Sequence, residues 1–154
     1  MLTEELKAKI AEKIQHYDHL RAGCVEALKL VQQHHGWVSD QDLRDVALIL
    51  DMTPDELDGI ATFYSMIFRR SVGRHVILIC DGVTCWIMGY EDLLAHLVER
   101  LGIGLGETTA DNKFTLLPVS CLGTCDRAPA LMVDDELYRD LSRDRIDQIL
   151  ERYE

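Results

Sequence analysis

The chain has 154 residues, 47% of them apolar, and a net charge of −11 from 16 basic and 27 acidic side chains; that size fits one domain or two small ones with a packed core. Phosphate-backbone binding needs clustered Lys and Arg, and the only adjacent basic pair is Arg69–Arg70, which excludes nucleic acid as a partner. The longest apolar runs, Val46–Leu50 and Val76–Cys80, are five residues each, whereas a spanning helix needs about 20.

The first 70 residues read as a small helical domain. An amphipathic helix over 3–15 places Leu6 and Ile10 inward, and its charged start lacks the apolar core of a secretory signal. The expected location is therefore the cytoplasm. A second helix over 21–35 gathers Cys24, Ala27, Leu28 and Val31 on one face, and Gly36 supplies a stop. His34-His35 at its end complements the helix dipole. Ser39 caps a third helix through about Leu50, with Leu43, Val46, Ala47 and Leu50 inward. Thr53-Pro54-Asp55-Glu56 is a capping box with proline at the first helical position. It starts a fourth helix expected to run on through Ala61-Thr62-Phe63-Tyr64-Ser65-Met66-Ile67-Phe68, whose apolar side chains read as core, with partner docking the alternative.

After Gly73 the pattern changes. His75–Cys80 is apolar, short and β-branched, and reads as a buried strand. Residues 90–101 read as a helix with Leu93, Leu94, Leu97 and Leu101 inward, and 102–112 as a loop. Its Gly102-x-Gly104-x-Gly106 follows a helix rather than a strand, so it is no dinucleotide fingerprint. Phe114–Val119 and Ala130–Val133 read as strands. Asp134-Asp135 signals a turn into a short return strand near Leu137–Tyr138. Ser142 caps a last helix with Ile146 and Ile149 or Leu150 toward the core. The order β-α-β-β-β-α after a helical segment gives an α+β chain with domains at 1–70 and 71–154.

Four of the five cysteines fall in the second domain, as Cys80-x4-Cys85 and Cys121-x3-Cys125, with 35 residues between the pairs. Cys80 ends one strand and Cys121 closely follows another. If those strands are parallel neighbours, both pairs reach the same end of the sheet. Four converging thiolates suit a [2Fe–2S] cluster, two per iron. A structural zinc site also takes four cysteines, though zinc ribbons favour C-x2-C knuckles, and free thiols or disulfides are the third reading. The segments Asp81–Cys85 and Leu122–Cys125 read as loops, each with a glycine and a threonine, whose backbone N–H groups suit bonding to sulfur. Trp86, Ile87 and Met88 are positioned to shield the site. Cys24, on an apolar helical face, reads as a core thiol. A free-standing ferredoxin and a zinc-stapled helix-turn-helix protein are the competing functional classes; the long helical segment argues against the first and the acidic balance against the second.

Ala27–Gln32 through Gly36-Trp37, Gly59-Ile-Ala-Thr-Phe-Tyr64, the two cysteine pairs, Ala128-Pro129 and Met132-Val-Asp-Asp135 together resemble the thioredoxin-like [2Fe–2S] subunit family of NADH:quinone oxidoreductase, respiratory complex I, whose member there is the E subunit. The resemblance covers nearly the whole chain, and only Asp134, where a more Asn-like residue is expected, departs from the pattern. It implies a thioredoxin-like second domain and a [2Fe–2S] cluster on Cys80, Cys85, Cys121 and Cys125, with no catalytic residue in this chain. The implied partners are an FMN- and NADH-binding flavoprotein subunit and other subunits of the peripheral arm. NADH gives up two electrons as hydride whereas such a cluster accepts one, so the flavin sits between them. The chain would then lie in the cytoplasm, peripheral to the inner membrane through the complex. Homologous subunits of NAD-dependent formate dehydrogenases and hydrogenases share the cysteine pattern and are the alternative.

Overall fold

A computed structural model describes residues 1–153; the chain splits into two compact units, the first Met1–Ser71 and the second beginning at Val72. The first is all helical: α1 (Glu4–Ile14), α2 (Cys24–His35), α3 (Asp40–Leu50) and α4 (Pro54–Phe63). Each start that the sequence marks with a hydroxyl residue is capped by it. Thr3 accepts from the Leu6 N–H, and Ser39 and Thr53 form reciprocal capping boxes with Asp42 and Glu56. The first turn of a helix leaves four backbone N–H groups without partners, and these side chains answer them. Leu6, Ile10 and Ile14 of α1 meet Ala27, Leu28 and Val31 of α2, Leu43, Val46 and Leu50 of α3, and Leu57 and Ala61 of α4 in one core. Cys24 belongs to that core.

Two helical expectations need correction. The second helix begins at Cys24, because Leu20–Gly23 winds as a 3-10 turn, a usual lead-in to an α-helix. The fourth helix stops at Phe63, and Tyr64 is extended. Beyond it, Gln32 of α2 takes over the backbone: its side-chain amide donates to the Met66 carbonyl, and its oxygen accepts from the Phe68 N–H. Arg69 closes the segment, binding Asp58, Asp40 and the Val38 carbonyl. Of the apolar run, Ile67 joins the core, but Phe63 is 81% exposed and Tyr64 and Met66 are exposed too.

The second unit is built on a four-stranded sheet: β1 (His75–Cys80), β2 (Phe114–Val119), β3 (Leu131–Val133) and β4 (Glu136–Tyr138), in the order β2-β1-β3-β4. The helices are α5 (Val83–Ile87), α6 (Tyr90–Leu101) and α7 (Arg143–Glu151). β1 and β2 are parallel, which requires the crossover that α6 provides; β3 runs antiparallel to β1 and hairpins into β4. Ile77 and Ile79 of β1, Leu116 of β2, and Leu131 and Val133 of β3 pack with Leu93 and Leu97 of α6 and Ile146, Ile149 and Leu150 of α7. Asp147 joins the two helices by accepting from both His96 and Arg100. Asp134, at φ +53 in the hairpin turn, bonds His75 Nδ1 at 2.7 Å and the Val76 N–H at 2.9 Å. An aspartate tolerates this left-handed geometry nearly as well as asparagine does. Among the described residues no helix is long and apolar enough to cross a membrane.

Candidate metal centre

The parallel pairing of β1 with β2 sets the site. Its register places Cys80 opposite Val119, so the chain leaves both strands at the same end of the sheet. Cys121 follows two residues after Val119. The four thiols meet there: Cys121 Sγ and Cys125 Sγ are 3.7 Å apart, and Cys80 neighbours both Cys85 and Cys121. Cys24 lies in the core of the other unit.

The surroundings differ from thiol to thiol. Cys80 and Cys85 are each 3% exposed, whereas Cys121 and Cys125 are open. Burial is the first cause pushing the Cys85 thiol up to about 11, and the neighbouring Cys80 adds to it, against a hydrogen bond from the Ala130 N–H. The Gly123 N–H donates to Cys121 Sγ at 3.3 Å and holds that thiol below its usual range. Cys121 in turn pushes the Cys125 thiol up, opposed by a hydrogen bond from Thr84. Arg127, the nearest cation in sequence, is committed to Asp140. Stabilisation of sulfur charge therefore falls to N–H and O–H donors, which is how protein groups tune such centres.

Two glycines act here in different ways. Gly123 has φ +75, which L-residues adopt at a cost. Gly82 has ordinary dihedrals, but a β-carbon on it would stand 2.6 Å from the Ser120 carbonyl oxygen and 3.5 Å from Cys80 Sγ. Gly123 thus serves by its left-handed backbone, and Gly82 by close approach.

Three site expectations are revised. Cys85 is carried by the short helix α5 rather than by a loop; five residues are too few to show helical periodicity. Cys125 opens a 3-10 turn, Cys125–Arg127. Trp86, Ile87 and Met88 do not cover the thiols within this unit: they are 56%, 71% and 56% exposed. The contacts of Thr84 with Cys125 and of Ala130 with Cys85 are not legible in the sequence, because no motif spacing links those pairs.

The donor set, four cysteine thiols, suits a metal held by thiolates, as a cluster or a lone ion. A tetrahedral zinc with sulfur at about 2.3 Å brings all four sulfurs within about 3.8 Å of one another. Cys121 and Cys125 stand 3.7 Å apart, the spacing of two ligands on one metal, which a tetrahedral zinc and an iron of a cluster share.

A family model described as thioredoxin-like [2Fe–2S] ferredoxin matches residues 10–154. The E subunit of NADH-quinone oxidoreductase from Pseudomonas aeruginosa is 46% identical over 153 residues, 99% of this chain and 92% of that protein. Its counterpart from Escherichia coli K12 is 46% identical over 144 residues, 94% of this chain and 87% of that one. Among solved structures, an NAD+-reducing [NiFe]-hydrogenase superimposes with a TM-score of 0.73 at 27% identity, covering 85% of this chain and 22% of the longer hydrogenase chain.

Proposed function

The chain belongs to the thioredoxin-like [2Fe–2S] ferredoxin family, and from that premise we propose that it is the one-electron carrier subunit of an NADH:quinone oxidoreductase. On this reading Cys80, Cys85, Cys121 and Cys125 hold a [2Fe–2S] cluster, and the chain exchanges electrons with the FMN of a partner flavoprotein subunit that also binds NADH. The observation that supports it most is the meeting of all four second-unit thiols at one end of β1 and β2, with Cys24 left elsewhere.

When bound, the cluster supplies a one-electron couple. The chain's own residues do the rest. Cys80 and Cys85 anchor the buried side of the site, and Cys121 and Cys125 complete its open side. The Gly123 and Ala130 N–H groups and the Thr84 hydroxyl offset sulfur charge. The chain is not catalytic alone, and it works at the peripheral arm of the complex without entering the bilayer. The hydrogenase-subunit alternative has the TM-score of 0.73 in its favour, but the relatives at 46% identity are named as subunits of NADH-quinone oxidoreductase.

Visible absorption with iron and sulfide analysis of the purified chain tests the cofactor, and co-purification with an FMN-containing subunit tests the partner. The expected composition is two irons and two sulfides per chain. A colourless chain holding one zinc sinks the reading.

A further inference from the structure

Cys121 and Cys125 stand apart from the other thiols in access. Their sulfurs are 3.7 Å apart and both residues are exposed. A disulfide needs about 2.0 Å between sulfurs, so closure asks for a shift of under two ångströms. The segment that must move has no regular structure between the end of β2 at Val119 and the 3-10 turn at Cys125. Gly123 lies in its middle with φ +75. The other thiols are less free: Cys80 is buried and fixed in β1, with its N–H on the Ala130 carbonyl. Cys85 is buried within α5, and Cys24 sits in the other unit's core.

We infer that, whenever the chain carries no cluster, Cys121 and Cys125 form a reversible disulfide at the expense of a low-molecular-weight disulfide, so that this pair gates cluster loading by redox state. The inference rests on the reading of the four cysteines as ligands. In the first step one of the two protein sulfurs, Cys121, attacks a sulfur of the small disulfide. A new sulfur–sulfur bond forms, the old one breaks, and one small thiol leaves with the proton from Cys121. Cys125 then attacks the Cys121 sulfur, and the second small thiol leaves with the Cys125 proton. The protein pair loses two electrons and the small disulfide gains them. The closed pair withholds two of four ligands, and a reduced dithiol reverses it.

The test uses the full chain, stripped of cluster by chelation and incubated anaerobically with oxidised glutathione. Remaining thiols are alkylated after denaturation and the peptides mapped by mass. The expected product has Cys121 linked to Cys125, with Cys24, Cys80 and Cys85 alkylated. Cys125→Ser is expected to stop at a glutathione adduct on Cys121. Each form is then given stoichiometric iron and sulfide without added thiol, with the linkage checked by mass in the same sample. The linked chain is expected to load at least tenfold less iron than the reduced chain, and dithiothreitol to restore loading. Linkage between other cysteines, a random mixture, or equal loading by chain that stays linked overturns the inference. Failure of the reduced chain itself to load would instead overturn the ligand reading, which keeps the two results apart.

Discussion

Gly82 lies so close to Ser120 that a β-carbon on it would stand 2.6 Å from the Ser120 carbonyl oxygen. The neighbour is backbone and cannot swing aside. This is where the segment after β1, which carries Cys85, touches the segment after β2, which carries Cys121 and Cys125. Gly82→Ala must push them apart. It is expected to cost about 1–3 kcal/mol of stability, the range for overpacking, and to lower the iron retained through gel filtration. Gly123→Ala meets no atom within 4 Å and carries only backbone strain of about 1–2 kcal/mol, so it should retain more iron than Gly82→Ala. The reverse order would show that the close approach does not shape the site.

On the proposed ligand set, replacing Cys80, Cys85, Cys121 or Cys125 singly by alanine is expected to abolish or gravely weaken cluster retention, because one iron would lose a thiolate. Cys24→Ala should keep full iron and sulfide while losing about 1 kcal/mol of stability from a small core cavity. Iron analysis of the five purified variants decides it, and iron loss from Cys24→Ala equal to the others refutes the assignment.

Asp42 predicts a pH response confined to the helical unit. Its buried carboxylate is disfavoured by desolvation, but hydrogen bonds from the Ser39 hydroxyl, His35 and the Ser39 N–H outweigh this and hold it below the ordinary 3.8. The folded state therefore binds the proton more weakly than the unfolded chain does. The contribution is fully present above about 3.8 and is lost as pH falls through the lower folded value. Asp42→Asn should flatten the acid limb of urea stability, followed by Trp37 fluorescence in a Trp86→Phe background. Some slope should persist, because the Leu2 N–H lowers Asp45 and the Thr53 N–H lowers Glu56. An unchanged acid limb would show that Asp42 is not held ionised.

The exposed Phe63, Tyr64 and Met66 give the helical unit an apolar surface, and all four paired cysteines lie in the other unit. A chain beginning at Val72 is expected to keep its cluster spectrum. It should bind the proposed flavoprotein subunit about tenfold more weakly, a loss of about 1.4 kcal/mol. Titration against the full chain is the measurement, and equal affinity would assign the helical unit some other role.

The purified, flavin-free chain should not oxidise NADH with ferricyanide as acceptor, and co-expression with the proposed flavoprotein partner should restore turnover. Activity of the chain alone would contradict the carrier role.

Local chemistry written in the sequence determined most of the elements. Ser39, Thr53 and Ser142 start helices because their oxygens answer backbone N–H groups a few residues away, and a contact that short needs no tertiary structure. The strand ending at Cys80 was equally legible, since its apolar run is too short and β-branched for a helix. The four-plus-one division of the cysteines was visible as spacing, although spacing alone left cluster, zinc and thiols open. What lay beyond local reach was decided by contacts between distant residues. Gln32 ends the apolar segment after α4 by taking its backbone groups from another helix. α5 forms where five residues carry no period of their own. Cys80 and Cys121, 41 positions apart, meet because β1 and β2 pair in parallel and in one register. That choice belongs to the sheet as a whole: parallel strands need a crossover connection between them, and it is this long-range pairing that brings the Gly82 and Ser120 segments beside each other at the end where the cysteines lie.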